Sequence, residues 1–478
     1  MNNEIISEMK TADRRHLLQI SLLILASAML PVASIAQQDP WQEAETIRRN
    51  IKAPVFPKRD FQLTAYGAIN DGTHDCTEAF RKAIQACHAA GGGRVVVPAG
   101  RYLTGPIHLL SNVNLHVSKE ATILFDHDPK KYLPAVLTRF EAIELMNYSP
   151  LIYAYEQQNI AVTGEGELNG QADEEHWWYW KGNSKKLAKD DPRQKMNQFD
   201  ANERLKKMAE DNVPVNKRVF GEGDYLRPSF IEPYRCKNVL IEGVTIKESP
   251  MWIIHPVLSE NVTIRKVKVI SHGPNNDGCD PESSKNVLIE DCLFDTGDDC
   301  IAIKSGRDHD GRRVNVPSEN IIVRGCIMKD GHGGVVIGSE ISGNVRNVFA
   351  ENCTMSSPHL DRALRIKSNS RRGGIAENIY MRNVTIGDLA EAVLHVDLFY
   401  FKETGKYIPS VRNVQMSNVT SKNSPYALYI NSDETYPVEH ILIKDCQFDN
   451  VKKGNLLHGY KDLVLQNVKI NGVLQEAK

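Results

Sequence analysis

One short pattern of apolar and polar positions recurs from the middle of the chain to its end. It reads Asn, apolar, x, apolar, x, x, then an apolar residue or Cys, as in NVLIEGV from Asn238 and NIIVRGC from Asn320. Apolar residues at every second position predict a β-strand, and units that recur every ~20–50 residues indicate a solenoid. The units begin at Asn238, Asn261, Asn286, Asn320, Asn347, Asn378, Asn413, His440 and Asp462.

The spacing of these units is irregular, with successive starts 22 to 35 residues apart. A strand of fixed pattern with connections of variable length is typical of a right-handed parallel β-helix, whose coils stack about 4.8 Å apart and whose loops lie outside. A leucine-rich horseshoe would need a tighter period and a Leu-x-x-Leu-x-Leu frame, which the chain lacks. We therefore expect an all-β fold built as one solenoid domain.

The repeat also explains two residue types. Cys292, Cys326 and Cys353 fall at one phase of successive units, so we expect an inward ladder of small apolar groups rather than disulfides. The Asn at the start of a unit is expected to make turn hydrogen bonds. The chain has nine Cys and no CxxC pair, so the sequence suggests at least one free thiol and no zinc site.

Two segments depart from the repeat. Residues 75–90 have the pattern of an amphipathic helix with Phe80 and Ile84 on one side, which we expect to cap the N-terminal end of the solenoid. Residues 170–226 interrupt the repeat, and between 181 and 218 they hold 11 Lys or Arg against 6 Asp or Glu. This charge is either a solvated helix face or a basic wall over a groove that holds an anionic ligand.

Net charge and the N-terminus bear on partners and location. A net charge of −2 gives no support for a nucleic-acid or anionic-membrane partner. Arg14 and Arg15 precede an apolar run at 17–30, and small residues follow up to Ala36, which is the pattern of a secretory signal cut after Ala36. The run is short for a membrane span, and an N-terminal anchor is the alternative. We expect a secreted or periplasmic monomer with a signal peptide (1–36), an N-terminal extension (37–60), a catalytic solenoid domain (61–478) and no membrane span after cleavage.

The residues that can carry chemistry share one phase on neighbouring coils. Asp298 lies 12 residues after Asn286, and His332 lies 12 residues after Asn320, so the two occupy equivalent positions on adjacent coils. The coils before and after add further charged residues. The predicted stripe carries Asp277, then Asp298 and Asp299, then His332, then Arg365 and Lys367.

This stripe suits hydrolysis of a glycosidic bond beside a carboxylate-bearing sugar. Two carboxylates flanking one bond are the minimum for glycoside hydrolysis, and crowding of the three Asp residues raises the pKa of one so that it keeps a proton. Arg365 and Lys367 flank one apolar residue, so both point to one face and can clamp a carboxylate. Because strand neighbours alternate faces, we expect a bend at Asp298 and Asp299. Acidic turn clusters also bind Ca²⁺, which remains an alternative.

Taken in order, these motifs resemble glycoside hydrolase family 28, the polygalacturonase family, whose fold is a pectin-lyase-like parallel β-helix. The resemblance runs from about Tyr66 to residue 470. One position departs from the family pattern, since Asn276 stands where the family has Thr. The motifs read Asn275-Asn276-Asp277, Gly297-Asp298-Asp299, Gly331-His332-Gly333 and Arg365-Ile366-Lys367.

The resemblance implies an inverting hydrolase of α-1,4-galacturonosyl linkages in pectin or polygalacturonate, with no metal and no cofactor. Asp298 would be the general acid, Asp277 and Asp299 would activate the water, and His332 would support the acid. The substrate-binding residues that it implies are Asn275, Arg365, Lys367 and Tyr400, the last in DLFYF with Tyr407 nearby.

The insertion at 170–226 and the GHGGVVIGSE sequence around His332 resemble the bacterial exo-acting members. An inserted wall that closes one end of the groove converts internal cleavage into cleavage at chain ends. Trp177 and Trp178 would either stack on a sugar ring at this wall or pack the insertion onto the solenoid. Rhamnogalacturonan and xylogalacturonan are alternative substrates, and a polysaccharide lyase or a non-catalytic glycan-binding β-helix are alternatives from other classes.

Overall fold

The structure, a computed structural model, describes residues 39–182 and 184–475. The predicted signal peptide lies outside these residues. The chain divides into Met1–Glu43, of which residues 39–43 are described, and one compact unit, Ala44–Lys478. In the described ranges no helix is long and apolar enough to cross a membrane. The α-helices described are α1 (Pro40–Asn50), α2 (Thr77–Ala89), α3 (Phe199–Glu210) and α4 (Asp308–Val314), and short 3-10 helices cover Leu63–Tyr66, Pro129–Tyr132, Trp178–Lys181, Pro192–Lys195, Val215–Lys217 and Tyr400–Lys402.

The strands stack coil upon coil into three parallel sheets, which confirms the predicted parallel β-helix. Sheet 1 holds β1 (Asp60–Gln62), β3 (Gly93–Val97), β6 (Val113–Val117), β11 (Gln158–Gly164), β14 (Lys237–Glu242), β16 (Glu260–Arg265), β18 (Lys285–Glu290), β21 (Ser318–Arg324) and β24 (Val345–Glu351). Sheet 2 holds β2 (Asp71–Asp75), β4 (Gly100–Thr104), β7 (Ala121–Phe125), β12 (Glu167–Asn169), β15 (Thr245–Lys247), β17 (Lys268–Ser271), β19 (Leu293–Thr296), β22 (Ile327–Met328) and β25 (Thr354–Met355).

Sheet 3 carries the strands that position the candidate site. It holds β5 (Ile107–His108), β10 (Ile152–Tyr155), β13 (Ile231–Tyr234), β20 (Ile301–Ile303), β23 (Val335–Ile337), β26 (Arg362–Lys367), β28 (Ala392–Asp397) and β31 (Val451–His458). Single bridges at Ile254 and Cys279 join β13 to β20. The last coils use long strands that pass from sheet 1 into sheet 2, namely β27 (Ile375–Asp388), β29 (Ser410–Asn431), β30 (Val438–Phe448) and β32 (Tyr460–Ile470). Two pairings are antiparallel: β8 (Val136–Phe140) with β9 (Ile143–Asn147), and β32 with β33 (Val473–Gln475).

The apolar positions of the repeat point into the coil, where they stack on their equivalents above and below. In β18 the side chains of Val287 and Ile289 are fully buried. The predicted cysteine ladder is also present: Cys292, Cys326 and Cys353 are buried free thiols, and that of Cys326 contacts both others. One interior column is Val239, Val262, Val287, Ile321, Val348, Ile379, Val414, Ile441 and Leu463.

The Asn residues that start seven of the units, and Asn112 and Asn159 on earlier coils, turn the chain in the left-handed region, with φ between 53° and 66°. His440 and Asp462, which start the other two units, have φ in the same range. Asn tolerates this conformation better than other residues that carry a Cβ. These side chains also bond between coils, because the Nδ2 of seven Asn residues donates to the Oδ1 of an Asn on the preceding coil at 2.6 to 3.1 Å. The ladder runs through Asn112, Asn159, Asn238 and Asn261, and again through Asn286, Asn320, Asn347, Asn378 and Asn413.

Both segments outside the repeat contain a helix. Helix α2 buries Phe80 and Ile84 and packs against the first strands of the solenoid, which confirms the predicted cap. The insertion contains α3, which packs with the β8–β9 hairpin and Trp252 in a small second core. Trp177 is 2% exposed and its ring meets Tyr132, so this residue packs the insertion and does not face a groove.

Candidate active site

The predicted stripe lies where consecutive coils bend outwards before sheet 3. Asp298 and Asp299 occupy the bend between β19 and β20, as expected, and His332 occupies the corresponding bend before β23. Asp277 lies two residues before Cys279, which bridges to β20. These bends pack closely because they contain glycine: a Cβ at Gly331, whose φ is +152°, would lie 2.6 Å from the carbonyl oxygen of Asp298.

Asp298 and His332 form a hydrogen-bonded pair. The Nδ1 of His332 lies 2.9 Å from Oδ1 of Asp298, which also accepts the backbone N–H of Asp299 at 2.9 Å. The backbone N–H of His332 donates to the carbonyl of Asp298 at 3.2 Å. Both residues line the same groove, so the pair can pass a proton to a bound molecule.

Arg365 and Lys367 project from β26 to the same side, as the alternation predicts. Both are ion-paired with Asp299, through Lys367 Nζ to Oδ2 at 2.7 Å and Arg365 Nη1 to Oδ1 at 3.3 Å. Tyr400 completes this corner, with its ring centroid 5.4 Å from the Arg365 guanidinium carbon and 5.2 Å from Lys367 Nζ. The structure thus brings Tyr400 into the site, whereas Tyr407 stacks under Arg312 and is not among the groove-lining residues.

Asn275 lines the groove at the opposite corner, and its Oδ1 accepts a hydrogen bond from Arg227 Nη2 at 2.8 Å. The next residue, Asn276, points inwards: its Oδ1 accepts from Ser271 Oγ at 2.6 Å, and its side chain is fully buried. Asn276 therefore holds the loop together and offers nothing to a ligand. Its departure from the family pattern falls outside the groove.

Asp277 contacts a lysine that sequence reasoning missed. Lys304 Nζ lies 3.3 Å from Asp277 Oδ2, 3.4 Å from Asp280 Oδ1 and 4.5 Å from the ring of Trp252. A signal for it exists, since the register places Lys304 and Lys367 at equivalent positions two coils apart, with Gly338 between them. This equivalence can be recognised only when the register of neighbouring coils is known, and connections of variable length hide that register in the sequence.

The carboxyl with the raised pKa is not the one that the sequence analysis assigned as the acid. Burial, together with the charge of Asp298, raises the pKa of Asp277 to about 7. Burial also acts to raise the pKa of Asp298, but the hydrogen bond and charge of His332 outweigh it and hold that pKa well below its usual range. The hydrogen bond to Asp298 raises the pKa of His332 to about 9. Crowding thus raises the pKa of one carboxyl as expected, but that carboxyl is Asp277. The opposite pKa shifts of Asp298 and His332 favour a carboxylate beside an imidazolium.

The cluster has the spacing to hold a cation as well as a proton. Carboxylate oxygens of Asp277, Asp298 and Asp299 lie within 4.8 Å of one another, and His272, Asp295 and Asp330 form a second such group. The first group is already balanced by side-chain cations: Lys304 on one side, Lys367 and Arg365 on the other. This balance favours proton and water chemistry over Ca²⁺ binding.

The groove lined by Asp277, Asp298, His332, Arg365 and Lys367 has a volume of about 840 Å³. Asp299 is fully buried and is not among its lining residues. One side is formed by Glu141 at the tip of the β8–β9 hairpin and by the insertion, the other by the loop from Tyr400 to Glu403. The insertion contributes Lys181 and Lys206, so part of its predicted basic character does face the groove. Further lining residues outside the predicted set are Gln198, Phe199, Asn202, Trp252, Lys304, Arg307, Glu340, Arg362 and Arg372.

The family model described as glycosyl hydrolases family 28 matches residues 216–460. The chain is 50% identical to a hyperthermoactive exopolygalacturonase from Thermotoga maritima, whose crystal structure superposes with a TM-score of 0.87 over 91% of this chain and 97% of that one. The chain belongs to family 28 of the glycosyl hydrolases. This confirms the resemblance seen in the sequence and makes the protein a glycoside hydrolase.

Two curated relatives show how much of the chain is matched. An exo-poly-alpha-D-galacturonosidase from Dickeya chrysanthemi is 28% identical over 462 residues, covering 86% of this chain and 74% of that protein. A probable polygalacturonase from Vitis vinifera is 26% identical over 402 residues, covering 80% of this chain and 73% of that protein. The similarity to these relatives therefore extends over most of the chain.

Proposed function

We propose that the protein hydrolyses α-1,4-galacturonosyl linkages of polygalacturonate or pectin, and that it does so from chain ends. One observation carries the reaction type: the Asp298–His332 pair lines one groove with Asp277, while the fully buried Asp299 pairs with the groove-lining cations Arg365 and Lys367. Cations at Arg365 and Lys367 suit a uronate, and the solved relative at 50% identity is named an exopolygalacturonase.

In this mechanism Asp298 is the general acid. The proton that His332 holds moves to Asp298 through the 2.9 Å hydrogen bond, and Asp298 passes it to the glycosidic oxygen as the C1–O bond breaks. A water attacks C1 from the side of Asp277 and Asp299, and its proton passes to one of these carboxylates. Each turnover consumes one water, and the net proton count of the protein is unchanged.

We propose inversion at the anomeric carbon, as the family resemblance implies. The carboxylate oxygens lie within 4.8 Å of one another, closer than the roughly 6.5–9.5 Å between carboxyl groups that is usual for inverting enzymes. The attacking water must then sit beside the cluster, held by Asp277 and Asp299 together, instead of between an acid and a distant base. Proton NMR of the first product resolves this point: a β-anomer supports inversion from the α-linkage, and an α-anomer contradicts it.

Substrate binding follows from the cations around Asp299. A galacturonate carboxylate can take over part of the pairing that Arg365 and Lys367 make with Asp299, which then becomes free to accept a proton from water. Tyr400 covers both cations and offers an aromatic face to the sugar ring. Asn275 is placed to orient the ring from the opposite corner.

The insertion supports the exo mode, because α3 and the hairpin tip flank one side of the groove. The test is a digest of polygalacturonate with products sized over time and viscosity recorded. We expect galacturonate or one short oligomer from the first minutes with little loss of viscosity. A rapid fall in viscosity with mixed oligomers would contradict exo cleavage, and ultraviolet-absorbing unsaturated products would show a lyase instead.

We also propose that the protein is exported after cleavage at Ala36 and acts as a monomer. The support for export is the sequence of residues 1–36. N-terminal sequencing of the protein recovered outside the cytoplasm tests the cleavage, and a mature chain beginning at Gln37 is expected. Light scattering of the mature protein tests the monomer, and a mass of two or more chains would contradict it.

A further inference from the structure

The basic side chains that line the described groove differ in one respect. Eight Lys or Arg residues line it, and seven form an ion pair with a described carboxylate. Lys181 is the exception: within residues 39–182 and 184–475 its ammonium has neither an ion pair nor a hydrogen bond. The seven paired residues are Lys206, Lys304, Arg307, Arg362, Arg365, Lys367 and Arg372.

Glu141 is the carboxylate whose charge acts most strongly on Lys181, but it already has other partners. Glu141 Oε2 lies 2.7 Å from Arg307 and also accepts from Asn202 at 3.1 Å. Burial lowers the pKa of Lys181, while Glu141 and the catalytic carboxylates oppose this lowering. A partly buried ammonium without a counter-ion costs free energy, which an anion arriving in the groove would offset.

The backbone that carries Lys181 is firmly anchored. Lys181 ends the 3-10 helix Trp178–Lys181, in which Trp180 is 3% exposed. The indole N–H of Trp178 donates to the carbonyl of Ser249 at 2.8 Å, tying this turn to the solenoid. The lysine stem therefore starts from a fixed point, which reduces the entropy lost when its ammonium binds an anion.

We propose that Lys181 binds the carboxylate of the terminal uronate on the side of the groove that the insertion forms, and so selects chain ends. The proposal rests on the proposed function, because only a polyuronate brings a carboxylate on every ring. Arg365 and Lys367 serve the ring beside the scissile bond, and they are already paired within the protein. Lys181, which has no carboxylate partner among the described residues, is available to bind a second carboxylate on the side of the groove that the insertion forms.

The first test compares Lys181→Met, Lys181→Arg and the control Lys207→Met. Lys207 lies on α3 in the same insertion, its side chain is 76% exposed, and it pairs with Asp211 at 2.7 Å. With trigalacturonate, Lys181→Met should raise KM roughly tenfold or more, the loss expected for one charge-assisted contact, with a smaller change in kcat. Lys181→Arg should recover most of this loss and Lys207→Met should match the wild type. Equal melting temperatures exclude misfolding as the cause.

The second test uses trigalacturonates with a single methyl ester on either the non-reducing or the reducing terminal ring. If Lys181 binds a terminal carboxylate, the KM ratio of Lys181→Met to wild type falls towards one for the ester at that terminus and stays high for the other. An equal ratio on the free acid and on both esters overturns the proposal. Failure of the proposed function is distinguishable, because the wild-type protein would then release nothing from trigalacturonate.

Discussion

Asp298 is hydrogen-bonded to the residue that stores its proton, His332. His332 Nδ1 lies 2.9 Å away, and the pKa of His332 rises to about 9 because of that contact. A substrate that enters the groove displaces water from around Asp298. The loss of that water makes the charged pair, a carboxylate beside an imidazolium, less stable relative to the neutral pair. The proton can then move to Asp298 and on to the leaving oxygen. The residue that acts as acid need not be the residue that stores the proton.

The first prediction at this scale concerns Asp298→Asn. It removes the proton donor while keeping the shape of the side chain, so kcat on polygalacturonate should fall by roughly 10²–10⁴-fold with KM little changed. Asp295→Asn is the control, since Asp295 lies on the same coil and pairs with His272 at 3.1 Å away from the reaction. Its activity should equal that of the wild type. Hydrolysis by Asp298→Asn at the wild-type rate would remove Asp298 from the mechanism.

The second prediction concerns the pH dependence that Lys304 imposes on Asp277. Asp277 must be ionised to accept a proton from water, and its pKa is about 7, so kcat/KM should rise through that pH. It should fall above about pH 9 as His332 loses its proton. The charge of Asp298 raises the pKa of Asp277, whereas the charges of Lys304 and Lys367 lower it. Lys304→Met should therefore move the rising limb to higher pH by about one unit.

Lys304→Arg retains the charge and is the matched variant for this prediction. It should keep the rising limb near the wild-type position, even if the larger guanidinium lowers kcat beside Trp252. A rising limb that stays fixed in Lys304→Met, with only a lower rate, would show that Lys304 acts through packing and not through the charge on Asp277.

At the scale of the element, the Asn ladder joins one coil to the next. Asn347 adopts φ 57°, donates to Asn320 Oδ1 at 3.1 Å and accepts from Asn378 at 3.0 Å. Asn347→Ala loses both hydrogen bonds and must place a Cβ in the left-handed region, which together cost about 2–4 kcal/mol of the free energy of unfolding. Asn347→Gly loses only the hydrogen bonds and should cost about 1–2 kcal/mol.

Denaturant unfolding of the two variants separates these contributions. Asn347→Gly should fall between the wild type and Asn347→Ala. Equal loss in both variants would show that the backbone conformation costs nothing at this turn, and no loss in either would show that the ladder does not stabilise the solenoid.

The repeat explains which parts of the fold and site could be predicted from the sequence. Strand alternation and the fixed Asn phase are local, so the coils, the cysteine ladder and the pairing of Asp298 with His332 followed from counting along each unit. Lys304 and Arg227 were missed because their roles depend on which residues lie on the coils above and below. The sequence analysis also did not predict which carboxyl has the raised pKa, for the same reason. The hydrogen bond and charge of His332 lower the pKa of Asp298, whereas Lys304 does not offset the effect of burial on Asp277.

At the scale of the whole molecule, a buried polar network ties the β8–β9 hairpin to the coils under the groove. His255 is fully buried, with Nε2 2.8 Å from Glu282 and Nδ1 3.3 Å from Glu232. Arg139 of the hairpin pairs with the same Glu282 at 2.5 Å. The hairpin tip lines the groove, so this network supports the groove wall from the solenoid side.

The last prediction is that this network makes stability depend on pH. Burial acts to lower the pKa of His255, but its hydrogen bonds with Glu232 and Glu282 outweigh burial, and the pKa lies above its ordinary value. A histidine with a raised folded pKa adds stability that is fully present below the unfolded pKa of about 6.5 and is lost as pH rises through the folded pKa. His255→Gln should therefore lower the free energy of unfolding by about 2 kcal/mol at pH 5 and by less at pH 9. The exposed His272→Gln is the control and should follow the wild type across this range, and a constant difference between His255→Gln and wild type from pH 5 to pH 9 would refute the linkage.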